Sequence, residues 1–408
     1  MTEKKTDPVE NLVSELERLM PAYVGSYIGT QFRSHRNLYQ VFGWEEFILP
    51  TALYSMYKVN GIAAAVNDTP VNTAWRYYPQ ISSGNKPFEK ALETLSEKYD
   101  LFETLKKADR LSGVSTYSII VLKVNGQSYE SKLRKFKMNR FAGFEVYHEA
   151  EVSLVEHIDE KNNVSYGIKY YRVGQHKIHP SRVIHVAEDS DDGVHGKSRL
   201  LPAYNQLHDM WKISGSTAEL YYLNASLLLN AKAMEGYKVK KKDGEELQET
   251  LYELVNKMKG FMVTNGFEID NIAPKITSPK DSWEVFEKIL SATSGIPRRI
   301  LFGSEMGQLA SSQDSNNYFD RVESRQNNYI NKYLIRAVID KLMIYSDIPT
   351  AEYEITWRRL SSLSDKDIAE SVSRYADAIK TLVEAGIEGY EDAVKLVMEK
   401  IKQILRSG

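Results

Sequence analysis

Four short stretches of the 408-residue sequence contain residue types that could do chemistry. The first, GVHGKS at 193–198, ends like a phosphate-binding loop, in which backbone amides and a lysine hold a nucleotide phosphate. That motif needs four residues between its first glycine and the Gly-Lys-Ser, and only two separate Gly193 from Gly196. The spacing favours a turn ahead of a helix capped by Ser198. A nucleotide-binding nucleic-acid enzyme or switch is kept as the alternative function.

The second stretch, EDSDDG at 188–193, has four carboxylates, those of Glu188, Asp189, Asp191 and Asp192. Carboxylate oxygens bind divalent cations. The spacing of a calcium loop and its distal glutamate are missing, so an acidic turn in solvent is the favoured interpretation. A metal site at these four residues is the alternative.

Histidines form the third stretch, HKIH at 176–179, with His185 and His195 further along the chain. Histidines are frequent metal ligands. The segment has the pattern of a strand, however, and positions three apart on a strand point to opposite faces. We therefore expect ordinary strand and turn histidines here.

The fourth stretch, KVKKKDGEE, contains Lys238, Lys240, Lys241 and Lys242. A single-strand nucleic-acid patch would have aromatic side chains between its cations, whereas here acidic residues follow at once. A solvated turn is the favoured interpretation. Since no spaced set of carboxylate, Ser or His residues builds an active site, the sequence predicts neither an enzyme nor a cofactor.

The composition restricts the class of protein further. Lys and Arg number 53 against 55 Asp and Glu, so the formal net charge is −2, whereas tight non-specific nucleic-acid binders normally carry a basic excess. The absence of cysteine excludes disulfides and thiolate sites, and fits an intracellular place of folding. The sequence has neither an apolar run of about eighteen residues nor a signal-peptide pattern, so no membrane partner is expected.

Hydrophobic periodicity predicts helices first, then a β-rich region, then helices again. Helices are expected over 8–20 and 86–110, and as a pair on either side of Asn60-Gly61 within 47–81. Short strand patterns follow, which predict a small mixed α/β region with a compact sheet.

The second half centres on a loop between two helical segments. Residues 294–326, SGIPRRILFGSEMGQLASSQDSNNYFDRVESRQ, leave one helix, cross a Gly- and Ser-rich stretch at 303–315 and enter a long amphipathic helix. The apolar stripe of that helix is expected to contain Phe319, Val322, Gln326, Tyr329, Ile330, Tyr333, Leu334, Ala337, Val338 and Leu342. A strand, EYEITWRRL, and two C-terminal helices follow.

Together these segments resemble the portal proteins of tailed bacteriophages. The resemblance rests on IHPSRVIHV followed by GKSRL, on GIPRRILFG with the loop after it, and on NNYFDRVESRQNNYI. LYSMYKVNGIAAAVNDTPVNTAWRYYPQI upstream and ITWRRLSSLSDKDIAESVSRYADAIKTLVEAGI downstream are similar to the same family. The resemblance spans about residues 47–390.

The resemblance implies an α+β, portal-like fold, with a mixed α/β wing, long stem helices, a small α/β clip, a tunnel loop and a short helical crown. The boundaries that it implies are a wing at 1–197, a first stem helix at 198–230, a clip at 231–280, a second stem helix at 281–302, a tunnel loop at 303–315, a long helix and strand returning to the wing at 316–363, and a crown at 364–408.

The same resemblance implies a structural ring of about twelve subunits at a unique capsid vertex. Double-stranded DNA would pass through its channel without sequence readout during packaging and ejection. The implied partners are the terminase motor, the major capsid and scaffolding proteins, and the head-completion or tail adaptor proteins. The protein would be assembled in the host cytoplasm and remain in the virion.

A tunnel loop should contact DNA without gripping it, because each cation fixed on a phosphate adds an attachment to break. Between Gly303 and Ser315 the only charges are Glu305 and Asp314. The DNA-facing candidates are Gly303, Ser304, Glu305, Met306, Gly307, Gln308, Leu309, Ala310, Ser311 and Ser312.

We further expect Arg298 and Arg299 at the end of the second stem helix, either in the subunit interface or facing the channel. We expect the lysines of the clip, Lys238, Lys240, Lys241 and Lys242, to dock partner proteins.

Overall fold

The structure, a computed structural model, describes residues 38–159, 164–225, 229–233, 267–271, 278–303 and 312–360, with isolated helical positions between 242 and 252 and between 373 and 398. Residues Met1–Ile48 belong to one compact unit, of which the described part contains α1 (Leu38–Phe42). The second unit is Leu49–Gly408 and contains all the other elements. No helix among the described residues is both long and apolar enough to cross a membrane.

The second unit begins with the predicted helix pair, α2 (Pro50–Val59) and α3 (Gly61–Ala74). Asn60 separates them because its side-chain oxygen accepts hydrogen bonds from the amides of Ile62 and Ala63, at 2.9 and 3.1 Å. This is the N-cap arrangement that an asparagine before a helix favours. The predicted pair is confirmed.

The single helix predicted over 86–110 is instead two, α4 (Lys86–Tyr99) and α5 (Leu101–Val114). Asp100 lies between them with a φ of 48°, in the left-handed region that ends a helix. The apolar spacing continues across this break, so periodicity alone did not reveal it.

The β-rich region forms two three-stranded sheets where a compact sheet was predicted. Their strands are β2 (Ser118–Val124), β3 (Phe141–His148), β4 (Val152–Asp159), β5 (Val164–Val173), β6 (His176–Ile178) and β7 (Val183–Val186). The first sheet has the order β3-β2-β7 and the second β4-β5-β6, both antiparallel. The α+β class is confirmed.

Strand β2 is buried on both faces, which explains its unbroken apolar run. Ile120 and Leu122 pack in the large core with the helices, whereas Ile119 and Val121 pack with residues of the second sheet. Successive side chains of a strand point to opposite faces, so a strand between two cores has no polar alternation.

The first predicted stem helix is shorter than 198–230. A 3-10 turn at Leu201–Ala203 precedes α6 (Tyr204–Ala225), and β8 begins at Leu229. The Ser198 hydroxyl accepts from the amides of Leu200 and Leu201, so it caps the 3-10 turn rather than the α-helix. Within the predicted clip, β8 (Leu229–Ala233) pairs antiparallel with β9 (Phe267–Asn271).

The second predicted stem helix, 281–302, is also divided. It consists of α7 (Lys280–Ser294) and the short α8 (Arg298–Phe302), because Gly295 is left-handed and Pro297 cannot continue the hydrogen bonding. Arg298 and Arg299 therefore lie in the short helix α8, and not at the C-terminal end of a long stem helix as predicted.

Beyond the predicted loop the chain forms α9 (Ser312–Arg325), a π-helical segment (Gln326–Arg336) and α10 (Ala337–Tyr345). Residues 312–315, which were assigned to the loop, are thus helical. The stripe predicted for one continuous α-helix fails at Tyr333, which is 46% exposed, because the π-helical turn is wider than the α-helical one. The predicted strand is β10 (Glu354–Thr356), paired with β1 (Gln80–Ser82).

Candidate functional site

Four charged side chains meet where α5, the end of β7, the start of α6 and the end of α9 come together. Asp109 lies on α5, Glu188 follows β7, Arg199 precedes α6, and Arg325 ends α9. We refer to these residues as the four-charge cluster.

Each arginine of the cluster binds both carboxylates. The Arg325 guanidinium donates to both carboxylate oxygens of Asp109, and to the two Glu188 oxygens at 2.5 and 2.8 Å. Arg199 Nη2 lies 3.1 Å from Asp109 Oδ1 and 2.6 Å from Glu188 Oε2. The indole of Trp75 adds a hydrogen bond of 2.8 Å to Asp109 Oδ2. The two forked donors therefore satisfy both carboxylates.

The cluster is largely buried and ionised: Asp109 is fully buried, and the side chains of the other three residues are 13–21% exposed. Burial would raise the pKa of Asp109, but Arg325 and Arg199 outweigh this effect and lower it to about 2. The same two arginines lower the pKa of Glu188 against its burial. In turn, the carboxylates keep the pKa of Arg325 well above its ordinary value although this side chain is buried. Two positive and two negative charges thus form a neutral network, which is the condition for burying ions at tolerable cost.

Gly113 makes room for the cluster. A Cβ on this residue would stand 1.9 Å from Arg199 Nη1, far inside van der Waals contact. The Arg199 side chain is held by Asp109 and Glu188 and cannot move aside without breaking these bonds. Glycine is therefore required at this point of α5.

An open cleft of about 970 Å³ adjoins the cluster. Glu188, Arg199 and Arg325 lie along its wall, between the root of α6, the end of α7 and the face of α9. Tyr329 also lines the cleft and has the Arg325 guanidinium 5.0 Å from its ring centroid.

The carboxylates of the predicted acidic turn have separate partners. Glu188 belongs to the cluster, and Asp189 binds Lys197 at 2.6 Å. Asp192 accepts from the His195 ring and from the amides of His195 and Val194, and these bonds lower its pKa despite partial burial. Over the described part of the chain, no group of three or more His, Asp or Glu residues is arranged to hold a metal ion.

Each predicted histidine likewise has hydrogen-bond partners or an exposed position of its own. His185 contacts the Val194 carbonyl at 2.6 Å and lies 3.3 Å from the Tyr171 hydroxyl. The His195 ring contacts Asp192 at 2.8 Å. His179 accepts from the Ser181 amide, and His176 is exposed on β6.

The GVHGKS stretch does not form a phosphate cradle. Such a cradle needs backbone amides that are free to point at the phosphate. The amide of Gly196 donates to the Thr116 carbonyl and that of Lys197 to the Glu188 carbonyl, both at 2.8 Å. The amides of Val194 and His195 bind Asp192. The geometry gives the nucleotide-binding alternative no support.

A buried Ser115–His148 pair resembles part of a hydrolase site, with Oγ and Nε2 2.9 Å apart. The Ala150 amide donates to His148 Nδ1, so the proton of the neutral ring lies on Nε2. The ring then donates to the serine hydroxyl and cannot remove its proton. Both side chains are fully buried, so the pair is structural.

Because His148 is buried, we expect the free energy of unfolding to fall in acid. Burial lowers the pKa of His148 from 6.5 to about 4, so the unfolded chain takes up the proton first. The free energy of unfolding should be highest above pH 6.5 and fall as the pH approaches 4, by up to about 3 kcal/mol from this residue. Urea unfolding across this range would measure the loss. His148→Gln, which cannot titrate, should have a shallower pH dependence, and an unchanged slope would contradict the assignment.

The other predicted site residues are only partly described. Gly303 is exposed with a φ of 92°, and Ser312 begins α9. The predicted tunnel-loop residues 304–311 lie outside the described residues, as do Lys238, Lys240 and Lys241. Lys242 is at an exposed helical position. Arg298 pairs with Glu287 of its own chain at 2.5 Å.

A family model of the phage portal protein matches residues 51–381. No curated protein matches the chain. One similar solved structure is the neck of an empty gene transfer agent (GTA) particle with C6 symmetry, at 13% identity and a TM-score of 0.52, with 82% of this chain and 93% of that chain covered. Another is the neck of the native particle with C12 symmetry, at 13% identity and a TM-score of 0.50, with 90% and 95% covered.

A portal protein of the HK97 family from Corynebacterium diphtheriae is also similar, at 10% identity and a TM-score of 0.41, with 74% of this chain and 93% of that chain covered. The two neck structures indicate a shared fold across most of the chain. The family match confirms the resemblance found in the sequence. Because it extends over most of the chain, this protein belongs to the phage portal protein family, whose members are head-to-tail connectors.

Proposed function

We propose that copies of this chain close into a ring at one capsid vertex, and that double-stranded DNA enters and leaves through its channel. Family membership supports the connector role. The C12 and C6 symmetry of the similar necks supports a cyclic assembly of about twelve copies. The observation on this chain that carries the proposal is the apolar surface of its stem helices.

The stem helices α6 and α7 contact each other but leave large apolar side chains in solvent. On α6, Trp211 is 48% exposed and Tyr222 70% exposed. On α7, Val285 and Ile289 are 53% and 39% exposed, and their spacing of four places them on one face. Exposed apolar groups of this kind on two packed helices favour a further protein contact.

A closed ring needs two different surfaces that fit each other, one on each side of the subunit. Helices α6 and α7 offer such a pair, an aromatic surface and an aliphatic one. We assign the ring contact at the stem to α6 of one copy against α7 of the next. Because these side chains are already partly buried, covering each of them would stabilise the ring by roughly 1–2 kcal/mol.

Trp211→Ser combined with Val285→Ser should therefore break the ring into smaller species. Both positions are exposed, so the fold of each subunit should persist. Mass photometry of the purified protein would measure the number of chains per particle, and circular dichroism would verify folding.

Two controls make this test specific. Trp211→Phe keeps an aromatic surface and should keep the ring. Val59→Ser alters a side chain that is 62% exposed at the end of α2, away from the stem, and should leave the number of chains unchanged. Full-size rings from the Trp211→Ser and Val285→Ser combination would contradict the stem interface.

We assign the tunnel loop to 303–311, since α9 begins at Ser312. This range contains one charged residue, Glu305, and it lacks Lys and Arg. A loop without cations contacts phosphates without adding attachments that resist sliding. This composition supports a passage for DNA rather than a binding site for it.

The remaining partners follow from the same proposal. The clip, with Lys238 and Lys240 to Lys242, would dock the terminase motor and later the head-completion or tail adaptor proteins. The wing would face the major capsid and scaffolding proteins. We place assembly in the host cytoplasm and the finished ring in the virion. Family membership supports these assignments.

A further inference from the structure

The helix that follows the predicted tunnel loop contains eleven π-helical residues, Gln326–Arg336. Such helices are rare, usually extend for a single turn, and often occur at functional sites. A segment of this length requires contacts that hold both of its ends.

The first end is held by polar contacts, in addition to the packing of Tyr318 and Val322 of α9 in the large core. Arg325 belongs to the four-charge cluster, and the buried Gln326 side chain donates to the Ala74 carbonyl at 2.6 Å. These bonds fix the direction in which the last turn of α9 faces.

The second end is held by apolar packing. Leu334 and Ile335 at the end of the segment, and Val338 in α10, are fully buried in the large core. Asn331 accepts a hydrogen bond of 2.7 Å from the Trp357 indole. These contacts fix the direction in which α10 faces, independently of the cluster.

A regular α-helix could not make the contacts seen at both ends of the segment. It turns about 100° per residue, so positions 325 and 338, thirteen apart, would differ by about 220° and face nearly opposite directions. Here Arg325 is 13% exposed and binds within the cluster, and Val338 is fully buried in the core. The wider turn lets both reach the interior.

We propose that the four-charge cluster sets the rotational position of α9, and that the π-helical segment reconciles this position with the apolar core. When the cluster is removed, the segment should return to α-helical hydrogen bonding. A π-helical turn contains about one residue more than an α-helical turn. Each turn that becomes α-helical therefore releases one residue, which rotates α9 by about 100° relative to α10. Because α9 begins at Ser312, such a rotation would also change how the chain leaves the tunnel loop, a consequence that rests on the proposed function.

The test uses distances between spin labels, since the natural chain has no cysteine. Asp320→Cys reports on α9 and Ile344→Cys on α10, each paired with Glu97→Cys on α4, and all three positions are exposed. Labelled chains are diluted with unlabelled ones so that only distances within a chain are measured.

The cluster is removed by Asp109→Leu, Glu188→Leu, Arg199→Met and Arg325→Met together, which leaves no buried charge unpaired. A side chain about 5 Å from the helix axis moves up to about 8 Å on a turn of 100°. We therefore expect the 97–320 distance to shift by several ångströms and the 97–344 distance to stay within about 2 Å. Two unchanged distances, or two equal shifts, would overturn the proposal.

A second variant keeps the cluster and covers the case in which the fourfold change fails to fold. Deletion of the exposed Asn327 removes one residue from the π-helical segment, which can absorb the loss by converting a turn to α-helix. The thermal midpoint should stay within about 4 °C. Deletion of the exposed Glu93 in the middle of α4, the matched control, should lower it much further, because it shifts the register between the buried Leu92 and Leu95 of a regular α-helix. Equal damage from both deletions would overturn the proposal.

These distances and midpoints are measured without DNA, so they do not depend on the proposed function. Failure of DNA packaging in a chain with the expected distances would count against the channel assignment alone.

Discussion

Leu309→Trp is expected to stop DNA packaging while the ring assembles normally. In the proposed ring the tunnel loop, 303–311, lines the narrowest part of the channel and contains Leu309. A tryptophan on every subunit would narrow the aperture all around the axis. Loop positions contribute few core contacts, so little stability should be lost. The measurement is the length of DNA packaged per head.

Leu309→Lys is the matched comparison, because it adds charge instead of bulk. A ring of cations near the phosphates should also slow translocation, but this defect should ease as salt rises and screens the charges. The defect of Leu309→Trp should not change with salt. If neither substitution changes the packaged length, the loop does not line the channel, and the central assignment is wrong.

Arg325→Met should be among the most destabilising single substitutions in this chain. It leaves Asp109, which is fully buried, and Glu188 with one arginine between them. Removing one partner from a buried charge pair costs about 3–5 kcal/mol, because the remaining charge is neither solvated nor compensated. Chemical denaturation of the purified protein would measure the loss in unfolding free energy.

Lys123→Met provides the contrast. Lys123 forms an ion pair of 2.8 Å with Glu145, but both side chains are about one-third exposed. Exposed pairs contribute about 0–1 kcal/mol, so this substitution should have little effect. Adding Asp109→Leu to Arg325→Met should cost less than the sum of the two single changes, because they belong to one network. Similar losses for Arg325→Met and Lys123→Met would show that the cluster is not a buried network in solution.

Local signals in the sequence predicted the fold where one residue determines the structure. Asn60 marked the boundary between α2 and α3, since an asparagine in front of a helix caps it. The break at Asp100 was missed, because the apolar spacing continues across it and an aspartate in the left-handed region has no sequence pattern of its own. The π-helical segment was missed for a related reason, since tertiary contacts at both ends impose its wider turn.

The four-charge cluster was harder to predict than any strand or helix. Asp109 and Arg325 are more than two hundred residues apart, and each lies on an amphipathic helix where a charge normally faces solvent. A weak signal was present, since Asp109 follows the buried Leu105 by four residues and therefore shares its face. Its partners could be identified only once the fold was known. The GVHGKS and EDSDDG stretches attracted attention by composition, although their amides and carboxylates serve local packing.

The close approach of Arg199 to Gly113 has a consequence for the history of this family. The glycine is needed while the Arg199 guanidinium passes 1.9 Å, and the Asn67 side-chain oxygen 2.7 Å, from the place where its Cβ would be. A lineage that replaces this arginine with a shorter residue removes the closer contact, and position 113 can then accept alanine or serine once Asn67 also shifts, whereas the reverse order of changes creates a clash. The two positions should therefore covary among homologues, and the arginine should be lost before the glycine changes.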